Sequence, residues 1–155
     1  MMFILWILLV AASIAIAYQD FKARSINLIL IICYGILGGF RYTLETNFIL
    51  FLNDLLFTGC YLLLVLLFIT IYFYFKNGKL VNVIDSQIGI GDLLLFICIG
   101  GCLEPFMLIN FFTTCFIFSL LCYLIFFKGR SVPLAGLSAI FYLMFYVVQL
   151  FLIWL

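Results

Sequence analysis

The sequence predicts an all-α protein, a polytopic membrane bundle with about six transmembrane helices. Of its 155 residues, 70% are hydrophobic and only 8% are charged. So few charged side chains cannot cover the surface of a water-soluble domain of this size. Lipid cannot hydrogen-bond to the backbone, so a spanning chain must form helices or a closed barrel. Residues 1–18 and 58–75 are almost continuously apolar, which favours helices because barrel strands alternate apolar and polar residues.

Charged residues, glycines and prolines divide the chain into six candidate spans. These cover residues 3–19, 26–40, 50–75, 89–103, 105–127 and 132–154. The second and fourth are short, since a helical crossing takes about 20 residues. No repeat, linker or low-complexity segment is evident in the sequence, so residues 1–155 are interpreted as a single transmembrane domain.

The basic residues are distributed unevenly between the two sides of these spans. Six of the seven lie on one side and only Arg41 lies on the other. The six are Lys22, Arg24, Lys76, Lys79, Lys128 and Arg130. Because an excess of Lys and Arg in short loops marks the cytoplasmic side, the count predicts six spans with both termini outside. Tyrosines near span ends, Tyr18, Tyr42 and Tyr74, suit interfacial anchoring.

The first apolar stretch has one alternative interpretation. Ala15-Ile16-Ala17 is similar to the small-residue cleavage site of a secretory signal. No Lys or Arg precedes this stretch, however, and cleavage would remove a span whose following loop carries Lys22 and Arg24. We therefore interpret it as a transmembrane span.

Several kinds of chemistry are excluded by composition. Histidine is absent, which removes Ser/His and Cys/His nucleophiles and most zinc sites. The six cysteines lie in apolar segments without a CxxC pair, and we interpret them, Cys98 and Cys102 included, as small apolar packing residues. A net charge of +1 does not indicate a nucleic-acid partner. We predict no metal and no cofactor, which leaves the carboxylates.

Three of the six acidic residues lie in spans or at their ends, where an ionisable group is costly and usually functional. Asp20 ends the first span at the cytoplasmic face, and Asp92 lies one turn into the fourth span from the same face. These two carboxylates can therefore meet. Asp54, near the outer end of the third span, is interpreted as an interfacial or packing group. The remaining acidic residues fall in loops, where solvated charge is ordinary: Glu45, Asp85 and Glu104.

Two neighbouring carboxylates are typical of aspartic proteolysis. They cannot both ionise cheaply, so one keeps its proton and the pair acts as acid and base around one water molecule. Gly89 and Gly91 precede Asp92, and without Cβ atoms they would let an extended substrate backbone approach. In the alternative interpretation, these glycines only pack helices and Asp92 is a helix N-terminal charge.

Two segments of the sequence resemble a known family. Residues 18–27 read Tyr-Gln-Asp-Phe-Lys-Ala-Arg-Ser-Ile-Asn, and residues 89–92 read Gly-Ile-Gly-Asp. Together they resemble the type IV prepilin peptidases, GxGD-type aspartyl proteases of prokaryotic membranes, in a short form without the N-terminal cysteine-motif segment. The resemblance extends to Val132-Pro133-Leu134-Ala135-Gly136, which is similar to the opening of the family's last helix.

The resemblance implies a role for seven residues. Asp20 and Asp92 would be catalytic, and five others would contact the substrate or shape the site: Lys22, Arg24, Asn27, Gly89 and Gly91. Two positions depart from the family pattern, because Leu94 replaces a lysine and Asn27-Leu28 replaces a Pro-Asn step. A related GxGD group, the presenilin type, fits less well because Gln19 separates Tyr18 from Asp20.

The resemblance also implies a location and a substrate. The chain would be a single transmembrane peptidase domain in the plasma membrane of a prokaryote, with its active site at the cytoplasmic face. It would remove the short basic leader of prepilin-like membrane proteins, so the expected partners are these substrates and the lipid bilayer.

Two alternatives stay open on the sequence. One is a small transporter or substrate-binding membrane subunit that uses Asp20 and Asp92 as an ion relay. The other is an inactive peptidase homologue, which Leu94 permits. Lys22 and Arg24 would act first as orientation signals and second by favouring the charged form of Asp20.

Overall fold

The computed structural model describes residues 2–78, 88–126 and 133–154, and these ranges contain six α-helices. They are α1 (Met2–Ala23), α2 (Leu28–Glu45), α3 (Phe48–Asn77), α4 (Ile90–Gly100), α5 (Pro105–Phe126) and α6 (Leu134–Trp154). The predicted all-α bundle is confirmed. Expectations that rest on five residues fall outside the described ranges: Lys79, Asp85, Lys128, Arg130 and Val132.

Four of these helices, α1, α2, α3 and α5, are long and apolar enough to cross a membrane. Their outward faces carry large apolar side chains, and Phe3, Ile49 and Phe75 are among the most exposed. Such an exterior is suited to lipid rather than to water. The chain is therefore a membrane protein.

The ends of α2 and α3 are set by short polar residues and a glycine. The Asn27 side chain accepts the N–H of Ile29 at 3.0 Å, and the Asn47 side chain accepts the N–H of Leu50 at 2.9 Å. Both are N-caps, which satisfy amides that have no partner within the helix. Gly78 ends α3 in the left-handed region, at φ 66°.

Each of the six described helices packs against at least two of the others. Helix α1 packs against α2 and α6, α3 packs against α2 and α5, and α5 packs against α6, while α4 contacts α2, α3 and α6. With 11 residues, α4 is about 17 Å long, little more than half of a hydrocarbon layer of about 30 Å. The fourth predicted span is thus a helix too short to cross this layer.

Glycines bring α2 and α4 close together. A Cβ atom built on Gly35 would lie 2.7 Å from the Cys98 sulfur, and one built on Gly38 would lie 2.9 Å from the Cys102 sulfur. The thiols occupy the space that the missing side chains leave on α2. Cys98 and Cys102 therefore act as small packing groups, in agreement with the sequence interpretation.

Polar pairs hold the end of the bundle at which α2 ends and α3 begins. The Tyr42 hydroxyl donates a 2.6 Å hydrogen bond to Asp54, and both side chains are buried. Buried Arg41 pairs with Glu45 at 2.8 Å and lies 3.9 Å above the Trp6 ring centroid. Asp54 is thus a packing group, as expected. Tyr42, expected as an interfacial anchor, is instead buried because its hydroxyl satisfies the Asp54 carboxylate.

The close contact of α3 with α4 can be tested at Gly100. Its missing Cβ atom would overlap the side chain of Thr58, whose hydroxyl is held by the Asp54 carbonyl at 2.8 Å. Gly100→Ala is therefore expected to lower the free energy of unfolding by about 1–3 kcal/mol. The measurement is the thermal unfolding midpoint of the purified protein in detergent.

Gly59→Ala is the matched control, because a Cβ atom at Gly59 meets nothing within 4 Å. Alanine favours a helix over glycine, so this variant is expected to keep or raise the unfolding midpoint. Equal losses in the two variants would contradict the packing of α4 against α3.

Candidate functional site

Asp20 lies in the last turn of α1 and reaches the start of α6. Its side chain is buried, with 6% of the residue exposed, and its Oδ2 atom accepts the backbone N–H of Gly136 at 2.6 Å. The first amides of a helix have no partner within the helix and carry its partial positive charge. The α6 N-terminus therefore supplies both a hydrogen bond and a favourable dipole to the Asp20 carboxylate.

This contact depends on the glycine at position 136. A Cβ atom there would lie 3.1 Å from Oδ2 and 3.2 Å from the Cβ atom of Asp20, and 3.2 Å from the Phe21 ring. These separations are tighter than ordinary van der Waals contact, so a larger residue would push α1 and α6 apart. Gly136 thus permits the close approach that the short hydrogen bond requires.

Asp92 occupies the first turn of α4 and is half-buried. The backbone N–H groups of Gly89 and Ala135 act electrostatically on its carboxylate. Gly89 is the N-cap residue of α4, and Asp92 is the third residue of that helix. Ala135 belongs to the same helix start that holds Asp20. Both carboxylates therefore lie near the start of α6, and they interact electrostatically with each other.

Three predicted site residues lie at or near the connection between α1 and α2. Asn27 caps α2, and its own N–H donates to the Gln19 side chain at 3.1 Å. Arg24 ends α1 with a φ of 52°, and its charge acts on Asp20. Lys22 is exposed, donates to the Tyr18 hydroxyl at 3.2 Å and lies 5.4 Å from that ring centroid. Asn27 therefore has a clear structural role, and Arg24 has an electrostatic one.

The two glycines before Asp92 do not bring another described backbone close. A Cβ atom on Gly91 would lie 4.0 Å from Ile26 and Ile31, which is an ordinary contact distance. A Cβ atom on Gly89 would lie 3.3 Å from the carboxylate of Asp92, so this glycine gives the carboxylate room. Gly89 is exposed.

A small apolar cavity of about 60 Å³, here called the α3–α5 groove, adjoins Asp92. Leu66 and Ile69 of α3 form one wall, Phe96 of α4 forms another, and Phe116 of α5 lies across from α3. Of the described residues that line the groove, Asp92 is the only charged one. The groove therefore joins the candidate site to an apolar surface.

The arrangement is suited to acid–base chemistry without a metal ion. Two carboxylates that share one environment bind one proton between them, so one can accept a proton while the other donates. Within the described ranges, no group of three or more His, Cys, Asp or Glu residues is arranged to hold a metal ion. A pair of neighbouring carboxylates is chemically able to activate a water molecule.

Comparisons with known proteins add no relative. No protein-family model matches the chain, and neither the curated proteins nor the solved structures contain a match.

Two residues of the site were not predicted from the sequence as donors. Ala135 and Gly136 contribute only backbone N–H groups, which leave no side-chain signature. The available signal was Pro133 directly before an apolar run, since proline is common at helix starts and the first amides of a helix bind anions.

The hydrogen bond between Gly136 and Asp20 leads to a stability prediction. Asp20→Asn keeps an oxygen acceptor for the buried N–H, whereas Asp20→Leu has a similar size and no acceptor. Asp20→Leu is therefore expected to lower the free energy of unfolding by about 1–3 kcal/mol more than Asp20→Asn. Thermal unfolding in detergent measures the difference. Equal midpoints for the two variants would show that the Gly136 amide does not depend on Asp20.

Proposed function

We propose that this chain is a membrane aspartic endopeptidase of the type IV prepilin peptidase kind, in which Asp20 and Asp92 activate water. The observation that carries the proposal is that two carboxylates, from α1 and α4, interact with each other at the start of α6, where the Gly136 amide donates to Asp20. These carboxylates are 72 positions apart in the sequence (92 − 20). One carboxylate would be enough to cap the start of α6, so capping does not explain the second carboxylate.

In the proposed reaction, the ionised member of the pair takes a proton from a water molecule. The water oxygen attacks the carbonyl carbon of the scissile peptide bond, while the protonated member donates its proton to the carbonyl oxygen. The carboxyl group that took the water proton then gives it to the leaving nitrogen, while its partner takes back the proton from the former carbonyl oxygen, so that the carbon–nitrogen bond breaks and the pair returns to its starting state. The Gly136 amide holds Asp20 in position. The shared proton belongs to the pair rather than to one residue.

The charge distribution supports a cytoplasmic site and a basic leader. Among the described basic residues, Lys22, Arg24 and Lys76 lie at or near the end of the bundle that contains Asp20, and Arg41 lies toward the other end. We infer that the Asp20 end faces the cytoplasm of a prokaryotic cell. A short basic leader would be held there by anionic lipid, while the apolar helix that follows it stays in the bilayer.

An ion relay is less well supported by the hydrogen bonds of the bundle. In the described parts of the chain, the buried hydroxyls of Ser13, Thr58 and Ser138 donate to carbonyls of their own helices. These hydroxyls bond to backbone carbonyls of their own helices and do not form a polar path from one end of the bundle to the other. The Asp20/Asp92 pair is thus a local polar site.

The proposal is tested by co-expression with tagged preproteins from the same genome that carry a short basic leader before an apolar helix. Wild type is expected to shorten a preprotein, as judged by gel mobility and by the mass of the product. Asp20→Asn and Asp92→Asn should each reduce the cleavage rate by at least about 100-fold, because an amide cannot exchange the proton.

Asp54→Asn is the matched control. Asp54 is also a buried carboxylate in a membrane helix, but it lies at the other end of the bundle and bonds Tyr42. This variant is expected to cleave like wild type. Persistent cleavage in either Asp20→Asn or Asp92→Asn would refute the pair. A folded wild type that cleaves no preprotein would favour the relay or the inactive homologue.

A further inference from the structure

We propose that the Tyr34 hydroxyl, in the middle of the bundle, binds a single buried water molecule that joins α2 to α1 and α6. This inference does not depend on the proposed peptidase chemistry and concerns a second polar site, away from the carboxylate pair. Three observations carry it: a buried hydroxyl without a protein partner, the polar groups around that hydroxyl, and the apolar layer between these groups and the two aspartates.

Tyr34 is one of the most deeply buried polar side chains of the bundle. Only 2% of the residue is exposed, and its ring packs edge-on against the Tyr142 ring of α6, with 6.4 Å between the centroids. Its hydroxyl makes no hydrogen bond to any residue of the described ranges. A buried hydroxyl without a partner is costly, and internal water molecules in proteins typically bind groups of this kind.

Three other helices contribute polar groups near this hydroxyl. Ser13 of α1, Cys98 of α4 and Tyr142 of α6 all interact electrostatically with Tyr34. The Ser13 hydroxyl donates its proton to the Leu9 carbonyl at 2.9 Å, so its oxygen is left to accept. A water molecule both donates and accepts, so it can accept the Tyr34 proton and donate to Ser13. These hydroxyl and thiol groups are neutral in their ordinary state, which suits water rather than an ion.

An apolar layer lies between this site and the carboxylates. Measured along the helices, Ser13 is about 10 Å from Asp20, and Cys98 is about 9 Å from Asp92. The intermediate positions of α1, α2, α4 and α6 hold buried apolar side chains: Ile16, Ile31, Leu95 and Ala139. The water site is therefore separate from the Asp20/Asp92 pair, and its role is structural.

Such a water molecule would help to hold three helices in register. Apolar side chains pack as readily against lipid as against one another, so hydrogen bonds between helices contribute to their association in a membrane. Tyr34, Ser13 and Tyr142 stand on three different helices. A water molecule shared by these residues would connect helices that no direct side-chain hydrogen bond between Tyr34 and a described residue connects.

The first test removes the hydroxyl and keeps the ring. Tyr34→Phe is expected to lower the thermal unfolding midpoint of the full chain in detergent by about 2–4 °C, because the water molecule loses a partner. Tyr61→Phe is the matched control. The Tyr61 ring also packs in the bundle, 5.7 Å from the Phe112 ring, but the residue is only half-buried. This control should keep the wild-type midpoint. An unchanged or raised midpoint in Tyr34→Phe would overturn the proposal, because it would show that the hydroxyl has no partner.

A double-mutant cycle and a high-resolution crystal structure identify the partner. If Tyr34 and Ser13 share a water molecule, combining Tyr34→Phe with Ser13→Ala should lower the midpoint by less than the sum of the two single losses. Additive losses would overturn the bridge to α1. The crystal structure should show a water oxygen about 2.7–2.8 Å from the Tyr34 oxygen. A direct Tyr34–Ser13 hydrogen bond would give the same cycle without that water molecule, and this result would also overturn the proposal.

Discussion

A carboxylate that is withdrawn from water inside a lipid-embedded protein must be given hydrogen-bond donors, and the start of α6 provides them here. Gly136 donates to Asp20 at 2.6 Å, and the preceding amide acts electrostatically on Asp92. Unpaired, such a group would cost several kcal/mol, on the order of the stability of a small domain. Much of the bundle follows from this requirement. It fixes the end of α1 against α6, the most extensive helix contact in the described chain, and it holds the N-terminus of α4 beside both.

The three described aspartates are all buried or half-buried, and they differ in the groups that compensate their carboxylates for the loss of water. Asp54 is satisfied by one phenolic hydroxyl from Tyr42. Asp20 instead accepts a backbone amide, and Asp92 interacts with Asp20 and lines the α3–α5 groove. Backbone amides remain in place when a carboxylate gains or loses a proton, whereas a hydroxyl partner can rotate. The shared pair is therefore the better arrangement for proton exchange.

Much of the fold was predictable from the sequence because lipid imposes strong rules on composition. Six helices, their order and most of their ends follow from apolar runs interrupted by charges and asparagines. The meeting of Asp20 and Asp92 follows from helix order. Other features could not be read in this way. Helix α4 is short because it ends at Gly100, with Gly101 as its C-cap, and an apolar run in the sequence does not show where the helix within it ends. The donors to the carboxylates are main-chain groups, and the burial of Tyr42 depends on a partner 12 residues away on another helix.

The length of α3 has a consequence for the site. Its 30 residues make a rod of about 45 Å, and it is apolar almost throughout, whereas the hydrocarbon layer is about 30 Å thick. Hydrophobic mismatch of this sign is relieved by tilting the helix or by locally thickening the bilayer. Because α3 is also one wall of the groove beside Asp92, a change in its tilt would move that wall relative to α5. The acyl-chain length of the surrounding lipid would then act on the geometry at the carboxylate pair.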